Sequence, residues 1–179
     1  EIDVVVVFNS GISVTTGIRN IAVGGYAVSA VDSGNYNIGI GYESLLTETK
    51  GNKSVAVGYA ALKTQNSTSS TDVFNVGVGF AAGQLITTAT GNTFIGGLAG
   101  DATTTGSDNT AVGYKALTTN TTAANNTAVG VSALKLNTTG SGSTAIGRGS
   151  LLNQTTGIDN TAVGRDAGND ITTGDYNTI

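Results

Sequence analysis

The sequence predicts an all-β fold, a parallel β-solenoid (β-roll or β-helix) of about ten 17-residue coils. Three observations lead there. The nonapeptide Asn109-Thr110-Ala111-Val112-Gly113-Tyr114-Lys115-Ala116-Leu117 returns seventeen residues later as Asn126-Thr127-Ala128-Val129-Gly130-Val131-Ser132-Ala133-Leu134, and again from Ser143 to Leu151. The glycine closing each short apolar run falls at 24, 41, 58, 79, 96, 113, 130, 147 and 164, every step being 17 except the 21 between Gly58 and Gly79. Glycine and β-branched residues dominate, and no apolar stripe of period 3.6 persists. A period this strict marks a repeat array, so residues 1–179 read as one array rather than an ordinary globular domain. A 17-residue unit cannot bury its own apolar side, but stacked units about 4.8 Å apart can, and ten of them make a rod on the order of 50 Å long.

The first unit is worn, with Asp3 where asparagine is expected, Val6 in the apolar slot and Val7 in place of glycine. Regular units then open at Asn20, Asn37, Ser54, Asn75, Asn92, Asn109, Asn126, Ser143 and Asn160. The longer step is a four-residue insertion within the polar stretch 63–72, an enlarged loop that leaves later units in register. The final Asn177-Thr178-Ile179 opens a further unit and stops before its glycine, so a segment of a longer chain is expected.

Within a unit, Thr-Ala-Val alternates. A strand would place Thr110 and Val112 on one face and Ala111 on the other. The Val112 slot holds only Val or Ile in the regular units (Val23, Ile40, Val57, Val78, Ile95, Val112, Val129, Ile146, Val163) and is assigned to the interior of the coil. The Ala111 slot is Ala or Gly everywhere except Phe94. Small residues there would admit another layer of backbone, either the opposite wall of the coil or a neighbouring subunit. The leading asparagines (Asn20, Asn37, Asn75, Asn92, Asn109, Asn126, Asn160, Asn177) would stack from coil to coil as a hydrogen-bonded ladder, or serve as turn formers, or both. Thr-Thr-Gly recurs in the spacers, at 15–17, 104–106, 138–140, 155–157 and 172–174, where glycine is expected to supply a positive φ.

Composition removes several function classes. With no Cys and no His, there are no disulfides, thiolate or imidazole metal ligands, and no Ser-His or Cys-His nucleophile. The net charge of −4 and eight basic residues scattered along the chain disfavour nucleic acid. No apolar run approaches membrane-spanning length.

The pattern Asn-Thr-Ala-Val-Gly-x-x-Ala-Leu followed by Thr-Thr-Gly-x-x-Asn resembles head repeats of trimeric autotransporter adhesins. It is still closer to 17-residue arrays of phage tail-fibre proteins and tail-fibre-like bacterial surface proteins. The resemblance covers essentially the whole chain, most cleanly from Asn92 onward. It implies a left-handed parallel β-roll, three chains packed side by side, and an extracellular place on a virion tail fibre or a bacterial cell surface. The sequence departs from the adhesin heads in repeat length, usually shorter there, and in the 63–72 insertion.

The function expected is therefore structural, a fibre segment supporting host or surface attachment, not an enzyme and with no cofactor or metal. Its partner is itself as a homotrimer, with a host-surface glycan or other fibre proteins as further candidates. The slot after the closing glycine holds Tyr42, Tyr59, Phe80 and Tyr114, an aromatic strip suited to a subunit interface or to stacking on sugar rings. That second use defines the alternative, a glycan-binding solenoid whose own faces contact the receptor. The carboxylate pairs Asp166 with Asp170 and Glu43 with Glu48 are the candidates for acid–base chemistry, and Asp108, Asp159 and Asp175 those for calcium; ordinary solvated turns are the favoured reading of both sets. Adjacent threonines such as Thr155-Thr156 would point to opposite faces, which counts against ice binding.

Overall fold

The computed structural model describes residues 4–6 as backbone and residues 9–179 in full. The reading of Asp3 and Val7 as parts of a worn unit lies outside them. Ten three-residue strands form one parallel sheet in sequence order: β1 (Val4–Val6), β2 (Ile21–Val23), β3 (Ile38–Ile40), β4 (Val55–Val57), β5 (Val76–Val78), β6 (Thr93–Ile95), β7 (Thr110–Val112), β8 (Thr127–Val129), β9 (Thr144–Ile146) and β10 (Thr161–Val163). The register pairs each strand residue with its counterpart one repeat on, Val57 with Val78 across the insertion and Val112 with Val129 beyond it. The chain is a β-solenoid, with no helix among the described residues. Backbone hydrogen bonds also join successive coils away from the sheet, such as Leu117 N–H to the Ala133 carbonyl and Thr121 N–H to that of Thr138.

The two faces of the strand are the reverse of what was expected. The middle residue is the buried one: Ala22, Ala56, Phe94, Ala111, Ala128, Ala145 and Ala162 line the interior. The slot of Val23, Ile40, Val57, Val78, Ile95, Val112, Val129, Ile146 and Val163 points outward, half-buried at best and 59% exposed at Val163. The cause is the width of the coil. The opposite wall places Leu45, Leu62, Leu117, Leu134 and Leu151 inside, leaving room only for a methyl or hydrogen on the sheet side. A Cβ on Gly77 would lie 2.8 Å from Leu62 Cγ. Phe94 is admitted because its facing positions, Gly83 and Gly100, have no side chain; a Cβ at either would come within 2.8 Å or less of its ring. The close neighbour of the small slot is thus the opposite wall of the same coil.

At the corner before the strand the leading asparagines point inward. Asn126 Oδ1 accepts the Ser143 backbone N–H at 2.9 Å, and its Nδ2 donates to the Gly140 carbonyl at 2.9 Å, so one side chain ties its coil to the next twice. The same pair of bonds recurs at Asn20, Asn37, Asn75, Asn92 and Asn160. Direct amide–amide bonds run from Asn92 to Asn75, Asn109 to Asn92 and Asn177 to Asn160. Ser54 and Ser143 interrupt the series, and in those two coils a glutamine eleven residues on restores it. Gln65 Nε2 donates to Ser54 Oγ and its Oε1 accepts from Asn75; Gln154 bridges Ser143 and Asn160 in the same way. Glu48, fully buried one coil before Gln65, accepts from the Thr49, Lys50, Gly51 and Ser67 N–H groups and from Gln65. Among the described residues no buried side-chain nitrogen or oxygen lacks a partner.

Two sets of glycines are needed for different reasons. The closing glycines have φ of 124–138°, where residues with a side chain are strongly disfavoured, and stack on one another: a Cβ on Gly113 would lie 2.6 Å from the Gly130 carbonyl oxygen. The Thr-Thr-Gly glycines do not take a positive φ, contrary to expectation. At Gly17, Gly106, Gly140 and Gly157 a Cβ would instead run into a carbonyl oxygen of the next coil.

Gly113→Ala should therefore destabilise by about 3 kcal/mol, combining backbone strain with overpacking. Gly97→Ala should change stability by less than about 1 kcal/mol, since a Cβ there meets only Tyr114 carbons at 3.6 and 3.9 Å. Urea unfolding of the two variants checks the contrast. In the same assay Asn126→Ala, which orphans the buried Ser143 N–H while Asn137 still donates to the Gly140 carbonyl, should cost about 1–3 kcal/mol.

Candidate functional site

Because the middle strand residue is inward, its two neighbours build an outward sheet face of two parallel columns. One is Ile21, Ile38, Val55, Val76, Thr93, Thr110, Thr127, Thr144 and Thr161; the other is the Val/Ile series from Val23 to Val163. The face changes character along the axis. From Ile21 to Val78 both columns are apolar, and from Thr93 onward one is threonine. A flat β-branched surface of this length exceeds the scattered exposed apolar residues of ordinary monomers.

Each flank of that face carries an aromatic column. On the side after the closing glycine, Tyr42, Tyr59 and Phe80 stack nearly parallel, with centroids 5.7 and 5.1 Å apart, and Tyr26 meets Tyr42 edge-on at 5.9 Å. All remain 39–59% exposed. Coil-to-coil register holds the rings at stacking distance, but it also covers most of their faces with each other. Gly97 leaves the next rung empty. Tyr114 then resumes the column, with Lys115 Nζ 5.2 Å from its ring centroid. The structure thus brings Tyr42, Tyr59 and Phe80 together and leaves Tyr114 apart.

The other flank went unread in the sequence. The residue before each leading asparagine or serine forms a column Arg19, Tyr36, Lys53, Phe74, in which Arg19 lies 5.3 Å from the Tyr36 ring centroid and Lys53 Nζ 5.2 Å from that of Phe74. The signal was available as alternating cation and aromatic at a fixed place in the repeat. All four of these residues take a positive φ.

Carboxylates do not converge. Glu43 is at the surface, paired with Lys63 at 2.8 Å, whereas Glu48 is interior. The hydrogen bond that Lys63 donates to Glu43 raises the Lys63 pKa. Asp166 pairs with its neighbour Arg165 at 3.2 Å. Asp108 and Asp159 occupy the same turn three coils apart, while Asp175 falls one residue earlier and accepts the Ile158 N–H. Among the described residues no three acidic side chains are placed to hold a metal ion, and no helix is long and apolar enough to cross a membrane.

The coil register does gather cations that are scattered in sequence. Lys63, Lys115, Lys135, Arg148 and Arg165, five of the eight basic residues, lie along the aromatic edge. Asp101, on the same edge, has its pKa raised by burial, against the hydrogen bond from Thr118 Oγ1 at 2.9 Å. A carboxyl whose pKa is higher in the folded state loses stability as pH rises from the ordinary 3.8 through the raised value. Asp101→Asn should therefore raise the Tm at pH 7, and the gain should vanish below pH 3.8, as thermal scans across that range would show. No family model, no curated protein and no solved structure matches the chain.

Proposed function

We propose that this chain is a structural segment of an extracellular fibre, of a phage tail or a bacterial surface adhesin, which supports attachment by holding other parts at a distance. The chain assembles with itself as a homotrimer through the outward sheet face. One observation carries the reading: an uninterrupted, outward-facing Val/Ile column on nine successive strands, flanked in its first half by a second apolar column and by aromatics. An apolar surface this extended calls for a cover. A second copy supplies one whose side chains repeat at the same spacing along the axis, and a closed three-fold ring leaves no chain with an open face. The side chains that the small coil excludes from its own interior thus become the core of the assembly. Tail-fibre and adhesin identity rests on the resemblance of the repeat, and an extracellular location follows from it.

A second reading, a glycan-binding module, draws on the exposed aromatic column. Its stacked rings offer mostly edges, so stacking on sugar would be confined to the free face of Phe80 and to Tyr114.

Light scattering should return three times the 17.7 kDa chain mass. Val57→Lys with Val78→Lys, on outward positions, should yield a monomer with an unchanged circular dichroism spectrum. A wild-type monomer at tens of micromolar would refute self-assembly through this face.

A further inference from the structure

On the same edge as the aromatic column, beyond Tyr114, the register of three successive coils opens a cleft of about 190 Å³. Val131 and Leu152 form apolar walls, Ser132 and Asp166 supply a hydroxyl and a carboxylate, and Lys135 and Arg148 supply two positive charges. Gly149 is also in the lining, and a Cβ there would run into Asp166 Oδ1. The two cations are the distinctive feature. On this edge Lys63 pairs with Glu43 and Arg165 with Asp166, and Lys115 lies over the Tyr114 ring. Among the described residues Lys135 and Arg148 form no ion pair, and Asp166, the one acid in the cleft lining, is engaged by Arg165.

A ligand for this cleft must satisfy three demands together. It needs one anionic group for the Lys135 ammonium and the Arg148 guanidinium, whose planar fork suits a carboxylate. It needs hydroxyl donors, because Asp166 can only accept and Ser132 can do either. It needs an apolar patch to lie on Val131 and Leu152. A bare inorganic anion fails the last demand and a fatty acid fails the second. A carboxylated pyranose meets all three, with its C–H face on the aliphatic side chains and its ring hydroxyls toward Ser132 and Asp166.

We propose that the cleft between Val131, Lys135, Arg148 and Leu152 binds an acidic sugar residue, a hexuronate or similar carboxylated pyranose. The two cations hold its carboxylate and Asp166 accepts from its hydroxyls. The half-exposed Tyr114 ring, one coil before Val131, is the next surface that a neighbouring sugar of a polymer would meet along the same edge. This site does not depend on the fibre reading or on the number of chains in the assembly.

Saturation-transfer NMR on the intact chain tests it with D-galacturonate, D-galactose, acetate and trigalacturonate as probes. D-galacturonate should bind with saturation transfer to its ring protons. D-galactose and acetate should each bind at least tenfold more weakly, because each lacks half of the recognised chemistry. Arg148→Ala and Lys135→Ala, both at surface positions, should each weaken D-galacturonate at least tenfold with an unchanged Tm. Tighter binding of trigalacturonate than of the monomer would identify the source as a polysaccharide, and equal binding a free acidic sugar. The proposal falls if acetate matches D-galacturonate, which would indicate bare anion binding, if no binding is detected, or if a variant carrying both Lys135→Ala and Arg148→Ala binds as the wild type does.

Discussion

Most coils of this protein are fastened to the next by an inward asparagine whose amide accepts a backbone N–H and donates to a backbone carbonyl of the following coil. Nearly everything else depends on that corner. A parallel β-coil only seventeen residues round must turn sharply, and at each turn backbone groups face inward where water cannot reach them. A side-chain amide is the neutral group that can both donate and accept there. It also fixes the rise between coils, because both of its bonds reach the same neighbour. The substitution of serine at 54 and 143 shows how tightly the corner is specified. Ser143 Oγ keeps the bond from the Asn160 N–H of the next coil, at 3.2 Å, and glutamine from elsewhere in the same coil supplies the missing amide beside it.

Coil width is the second constraint and follows from the first. With asparagine filling one corner and leucine reaching in from the far wall, the sheet wall has space for alanine or glycine. Phe94 obeys the same rule of constant volume, since two leucine positions across from it have become glycine. A coil this thin buries little apolar surface by itself, and its larger β-branched side chains are left outside. The outward Val/Ile column is thus a consequence of narrowness, and it is what makes association with another copy the natural completion of the fold.

Parallel register has a further effect on the surface. Whatever occupies a given slot is repeated along the axis, so single substitutions become columns. Tyrosine and phenylalanine become a stack, lysine and arginine become a charged edge, and one missing ring at Gly97 becomes a gap. Surface chemistry here changes gradually along the rod, from apolar and aromatic near Ile21 to hydroxylated and cationic near Thr161.

The sequence by itself determined the architecture. The 17-residue clock, the short alternating runs and the insertion that leaves the register intact were legible because a solenoid translates periodicity directly into stacking. The position of the asparagine corner was legible for the same reason, although its amide could equally have been a simple turn former. Alternation told which residues share a face, placing Thr110 with Val112 and against Ala111. It did not tell which face was inside, because hydrophobicity favours valine as core while the decision rests on the distance to the opposite wall. That distance is set by residues such as Leu117, six to seven positions further on, and only closure of the coil brings them opposite. The same holds for the Thr-Thr-Gly glycines, whose reason is a carbonyl one coil away, and for the Lys135–Arg148 cleft, whose parts belong to separate repeats and meet only when the repeats are stacked.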